Sequence, residues 1–149
     1  GLGQVPWLVS ENWAMPSIAF MATWKNVGLY VILFMGGLQS IPAELYEAAE
    51  LEGANSSQRF FHITLPMLNP TIVTVIVLSV IGGFSLFIEP YVMTGGGPMN
   101  STLSAVLYIY NQAFNFGHMG YASTMGLFFA VIIFMVVKIQ RKFVETEVY

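Results

Sequence analysis

Few side chains in this chain are equipped for covalent chemistry. There is no cysteine, and all 8 acidic residues are glutamates. Thiol catalysis, cysteine-ligated zinc and disulfides are therefore excluded for these residues. The two histidines, His62 and His118, are isolated. Neither lies in an HExxH run or has a cysteine or aspartate partner, so a metal site is not expected. No Ser-His-acid set stands out either, and no catalytic role is expected. What remains is a small set of polar, charged and glycine positions within long apolar runs: Lys25 and Asn26 in one, and Ser79, Gly82, Gly83, Ser85 and Glu89 in another. An ionisable residue inside an apolar span is a functional candidate by default, because a charge there is costly to keep.

The elements that must carry these residues follow from composition. Hydrophobic residues make up 56% of the 149 and charged residues 9%, against roughly 25% charged in an ordinary soluble domain. Too few polar groups are present to cover a soluble surface, so the expected solvent is the lipid bilayer. The net charge of −3 gives no basic footprint for nucleic acid. Three runs, about residues 16–38, 69–88 and 121–137, have the length and character of membrane-spanning helices. The expected class is an all-α membrane protein. Arg59 lies between the first two spans, and Lys138, Arg141 and Lys142 follow the third, whereas residues 1–15 and 90–120 have no Lys or Arg. The positive-inside rule puts residues 39–68 and the C-terminus in the cytoplasm, with the N-terminal end and the 90–120 loop outward. The opening "GLGQVPWLVSENWAMP" lacks the basic start and apolar core of a signal peptide. It reads as a surface loop entered in mid-course, and the chain is expected to be the C-terminal part of a longer protein. In the outward loop, "TGGGP" marks turns and lacks the Gly-Lys-Ser/Thr ending of a phosphate loop. The following "TLSAVLYIYNQAFNFG" reads as an interfacial or re-entrant helix, or as the beginning of a long third span.

The cytoplasmic stretch "ELYEAAELEGANSSQRFFHITLP", Glu44 to Pro66, is the most charged part of the chain. Pro42 near its start and Gly53 past its end bracket a short helix. Glu44 falls in the first turn, where the helix dipole favours an anion. Leu45, Ala48 and Ala49 share a face, and Glu47 and Glu50 flank it. Ser56 and Ser57 are the expected caps of a second helix leading into the membrane. The bland reading is a linker lying on the membrane, although such helices are usually basic.

Glu47-Ala48-Ala49, three residues, Gly53, nine residues, then Ile63-Thr64-Leu65-Pro66 resembles the EAA motif of binding-protein-dependent ABC importer permeases. The surrounding "GLQSIPAELYEAAELEGA" and "YVMTGGGP" resemble the sugar, maltose-type branch, and the likeness covers nearly the whole chain. The resemblance implies part of a type I ABC importer permease fold, in a bacterial cytoplasmic (inner) membrane. It implies that the short helix is a coupling helix docking in a cleft of a cytoplasmic ABC ATPase, with Glu47, Ala48, Ala49 and Gly53 as its core and Glu44, Leu45, Tyr46 and Glu52 around it. The further partners implied are a second permease subunit and an extracytoplasmic solute-binding protein. No cofactor is implied in this chain, ATP and Mg being bound by the partner ATPase. Such permeases are about twice as long. In this family the solute pathway runs between the spans flanking the motif, so Lys25, Asn26, Ser79, Gly82, Gly83, Ser85 and Glu89 become pathway candidates, with the aromatic faces of Trp24, Phe84 and Tyr91 nearby for sugar rings. Other readings remain: Gly82-Gly83 permits packing or a kink, Ser79 bonds its own backbone, and Lys25 snorkels to headgroups. A Lys25–Glu89 pair is also possible. The alternative to a permease is a non-transporting anchor or assembly subunit that recruits a cytoplasmic partner.

Overall fold

Ser10 begins the first helix. Its carbonyl accepts from the Trp13 N–H at 3.2 Å and the Ala14 N–H at 2.9 Å, and α1 runs Glu11–Gln39. The structure, a computed structural model, describes residues 6–146. The first five residues of the expected outer loop and the last three of the tail lie outside the described residues. The helix starts before Pro16, where the first span was expected to begin. A proline this close to a helix start removes a single amide bond, and beside it Ser17 Oγ donates to the Trp13 carbonyl at 2.7 Å.

Two short helices separate α1 from the next long one. They are α2 (Ala43–Leu51) and α3 (Ser56–Arg59), the latter continuing through a π-helical turn, Phe60–Thr64, into α4 (Leu65–Met67). The cap of α3 is Asn55, not Ser56 or Ser57. Asn55 Oδ1 accepts from the Gln58 N–H at 2.9 Å, and Gln58 Oε1 accepts from the Asn55 N–H at 2.8 Å. This reciprocal box satisfies two amides at once, which neither serine can do without a Glu or Gln three residues on.

The second apolar run does not form one unbroken helix to Ile88. α5 (Asn69–Phe84) ends, three residues intervene, and α6 (Ile88–Met93) follows. Gly82 and Gly83 are poor helix formers at the end of α5. Pro90 falls in the first turn of α6, where no amide partner is needed, so the sequence favours a restart there. Together Asn69–Met93 still form one stretch long and apolar enough to cross a membrane, as do Glu11–Gln39 and Met119–Lys142. The "TLSAVLYIYNQAFNFG" stretch is a separate element: α7 (Ala105–Tyr110) and a second π-helical turn, Asn111–Asn115. The chain then turns at Gly117 before α8 (Met119–Thr146). There is no strand among the described residues, in keeping with the all-α class and its three candidate spans.

The chain divides into two compact units. One takes the chain up to Asn26 with Val80–Val137, and the other takes Val27–Ser79 with the chain from Lys138. Within the first, Ala14, Ile18, Leu107, Ala113 and Ala122 are buried, with Thr102 fully enclosed. Thr102 Oγ1 donates to the Gly97 carbonyl at 2.8 Å and lies 2.7 Å from Thr94 Oγ1, so the glycine-rich loop is tied internally. Within the second, Ile41, Thr64 and Leu68 are buried. Here a Cβ on Gly37 would lie 3.0 Å from Leu68 Cδ2 and 3.1 Å from Thr71 Cβ, so only glycine lets the end of α1 approach the start of α5 this closely. Only 6% of each membrane-length window is buried. The remaining apolar faces are those a helix shows to lipid or to neighbouring helices.

Candidate functional site

The short acidic helix owes its shape to its two ends. Pro42, in extended conformation, precedes α2, and Glu44 lies in the first turn. At the other end Gly53 adopts φ +81°. The Gly53 N–H donates to the Glu50 carbonyl at 3.0 Å and the Ala54 N–H to the Ala49 carbonyl at 2.9 Å. This pair of bonds is the Schellman arrangement, which requires a left-handed residue just past the helix and so selects glycine.

No residue of α2 is buried. Tyr46 and Ala49, three apart, are half-buried, while Glu44, Leu45, Glu47, Ala48, Glu52 and Gly53 are exposed. Leu51, which the sequence reading did not single out, is 90% exposed. It stands one turn beyond Glu47 and Ala48 on the open side. Its spacing was a legible signal, overshadowed by the acidic residues around it. Leu51 is an exposed apolar tip among glutamates on a helix with no buried residue. Tyr46 differs from its neighbours. Its hydroxyl lies 2.8 Å from Thr64 Oγ1, so it is turned toward the chain's own π-helical turn. Glu50 Oε2 meets Arg59 Nη1 at 3.1 Å, an exposed ion pair.

The pathway candidates separate into those the fold brings together and those it does not. Lys25 on α1 forms an ion pair with Glu89 in the first turn of α6. Glu89 is buried, whereas the Lys25 side chain is about half exposed. Asn26 Nδ2 donates to the Ala22 carbonyl at 2.7 Å, and Ser79 Oγ to the Val75 carbonyl at 2.8 Å, each one turn back on its own helix. Gly82 and Gly83 have open space where a Cβ would be, so within this chain they serve no close packing. Ser85 is exposed and its N–H continues the ladder to the Ile81 carbonyl at 2.9 Å. Phe87 and Tyr91, which flank Glu89 in sequence, join Tyr110 and Phe114 in a continuous run of four rings. Phe87 stacks on Tyr91 with centroids 5.4 Å apart, and Tyr110 lies 5.1 Å from Phe87 and 5.0 Å from Phe114. The neighbouring Tyr91 pushes the Tyr110 phenol above the usual tyrosine range. Of the aromatics expected near the pathway, Tyr91 belongs to this run, Phe84 lies 6.2 Å from Phe129, and Trp24 is exposed. Among the described residues no group of three or more His, Cys, Asp or Glu is placed to hold a metal.

The chain matches the family described as "Binding-protein-dependent transport system inner membrane component" over residues 4–147. It is 38% identical over 143 residues to the arabinooligosaccharides transport system permease protein AraP of Bacillus subtilis, covering 95% of this chain and 46% of that one. It is 40% identical over 140 residues to the multiple sugar-binding transport system permease protein MsmF of Streptococcus mutans, covering 91% and 48%. The crystal structure of a bacterial ABC transporter involved in the import of the acidic polysaccharide alginate superposes with a TM-score of 0.78 at 25% identity, covering 98% of this chain and 51% of that one. The chain thus spans about half the length of the curated relatives it matches. With three membrane-length helices, an exposed capped helix between the first two, and this match over almost its whole length, the chain belongs to the binding-protein-dependent transport system inner membrane components.

Proposed function

We propose that this chain is part of a permease subunit of an ATP-driven importer that moves a sugar or related carbohydrate across the bacterial inner membrane. The observation that carries this reading is α2. It is a helix without a buried residue, closed by a left-handed Gly53 and tipped by an exposed Leu51, on a chain of this family. In the proposal it is the coupling helix and faces the cytoplasm, with the C-terminus on the same side and the N-terminal end outward. Glu47, Ala48, Ala49 and Gly53 form the docking core on a separate ABC ATPase. Glu44, Leu45 and Glu52 lie around it, joined by Leu51. ATP and Mg are bound on that partner, and this chain is not the catalytic one. A second permease subunit completes the pathway and a solute-binding protein delivers cargo from outside.

The mechanism follows from this arrangement. ATP closes the ATPase dimer, and α2 moves with the cleft that holds it. The chain alternates between states only because nucleotide makes different contacts in each, and the spans follow as semi-rigid bodies. Lys25 and Glu89 belong to the pathway-side charges, and Asn26, Ser79, Gly82, Gly83 and Ser85 to its lining. The carbohydrate class is supported by relatives named for arabinooligosaccharides and multiple sugars.

Co-purification of the membrane-assembled protein with an ABC ATPase and a second permease, followed by solute-stimulated ATP hydrolysis in liposomes, tests the proposal. Stimulation by a carbohydrate together with its binding protein is expected. Recruitment of a cytoplasmic partner without any solute-stimulated hydrolysis would replace it with the anchor reading.

A further inference from the structure

We propose that the Tyr46–Thr64 hydrogen bond is a latch that sets the register of the π-helical turn at the foot of α5, and that movement of α2 reaches the span through it. The inference rests on the coupling reading above and adds the internal part that makes it mechanical.

A nine-residue helix is marginal alone, and α2 has no fully buried residue, only Tyr46 and Ala49 half-buried. Whatever pushes on its open face must be passed on by its attachments. Among the described residues these include the backbone at its two ends, through Pro42 to α1 and through Gly53 to α3, the Glu50–Arg59 ion pair, and the Tyr46–Thr64 bond, and of the two side-chain links the second is the one we take to reach the span. The ion pair is exposed on the Glu50 side, at 71%, and exposed pairs hold little. Tyr46 is half-buried and Thr64 is buried, so their 2.8 Å bond is sheltered from competing water.

The bond reaches a particular place. Arg59 ends α3 just before the π-helical turn, and Thr64 is the last residue of that turn. Two side chains of α2 therefore reach either end of this five-residue segment, Glu50 weakly at Arg59 just before it and Tyr46 by a sheltered bond at Thr64. A π turn holds one residue more than the α-helical bond pattern would, and such turns are rare overall and frequent at functional sites. If it relaxed to α-helical bonding, each residue beyond it would rotate by about 100°. Thr64 would then swing away from Tyr46. The hydrogen bond exists only in the π register, so it favours that register, and α2 and the foot of α5 are set together. Tyr46 is in this sense a positioning residue and not part of the docking surface.

Tyr46→Phe and Thr64→Val each remove one hydroxyl and keep the shape. Two readouts are used on the full membrane-assembled protein. In the transporter, each variant is expected to retain the ATPase on co-purification yet raise the ATP hydrolysed per solute imported several-fold, and the double variant to be no worse than either single one, as for two halves of one contact. In the permease alone, amide exchange across Phe60–Leu65 is expected to speed up severalfold in either variant. Unchanged exchange in both variants overturns the latch whether or not an ATPase partner is found. Additive effects of the two substitutions overturn it as well. Failure of the unsubstituted protein to recruit any ATPase would instead overturn the coupling reading, and the exchange measurement then decides the latch by itself.

Discussion

Lys25 and Glu89, 64 positions apart in sequence, form an ion pair between α1 and the first turn of α6. Glu89 is buried and Lys25 half exposed, and both lie within membrane-length segments. Each group offsets the cost of keeping the other in an apolar setting, and the glutamate also gains from the N-terminal end of its helix.

The first prediction concerns that pair. Glu89→Gln or Lys25→Met leaves one uncompensated charge in a span, at a cost of about 2.5–3.5 kcal/mol. Lower yield of assembled protein and reduced uptake are expected from either substitution. The exchanged pair, Lys25→Glu with Glu89→Lys, should recover part of the loss, short of full recovery because a lysine at position 89 sits at the N-terminal end of its helix. Uptake and thermal stability in detergent read the result, and absence of recovery would sink the pairing as a functional contact.

The second prediction concerns Gly53. A β-branched residue at φ +81° is strained by about 1–2 kcal/mol and weakens the closing bonds of α2. Gly53→Val is expected to lower uptake about tenfold while ATP hydrolysis continues. Gly53→Asn, which tolerates the left-handed region, should be much milder. Normal uptake by the valine variant would count against a coupling role for this helix.

A third concerns packing at Gly37. Its missing Cβ is what admits the Leu68 and Thr71 side chains. Gly37→Val should cost about 1–3 kcal/mol by overpacking, seen as a lower unfolding temperature. Gly36→Ala, beside open space, serves as the comparison and should be nearly neutral. Equal behaviour of the two variants would show that the close approach carries no weight.

Orientation can be checked because the chain has no cysteine. An impermeant maleimide added to whole spheroplasts is expected to label Asn100→Cys and to label Leu51→Cys only after the membrane is opened. The reverse pattern would overturn the assignment of α2 to the cytoplasm.

How much of this was legible in sequence depends on the kind of signal. The apolar runs declared three long helices because length and composition alone determine that property. Their ends were less legible. Pro16 reads as a start until Ser10 is seen to supply the first carbonyl, and the break after Phe84 depends on how Gly82, Gly83 and Pro90 act together. The turn at Gly53 was legible, since few residues but glycine fit it. The Asn55 cap is written in the Asn-x-x-Gln spacing, but the two serines that follow carry a capping signal of their own. The Tyr46–Thr64 bond was not legible at all. It depends on a π-helical turn, and no periodicity in "FFHIT" announces one extra residue in a helix.

That extra residue has a consequence for how such chains can vary in length. A single deletion between Phe60 and Thr64 can heal as ordinary α-helix, leaving both flanking helices intact. An insertion there has no such repair, because the turn already holds its surplus. A deletion at this point would therefore keep both the span and the direction in which the acidic helix points, whereas an insertion would turn one against the other by about 100°. Homologues one residue shorter here are expected to share the placement of the acidic helix, and homologues one residue longer to differ in the partner surface they present.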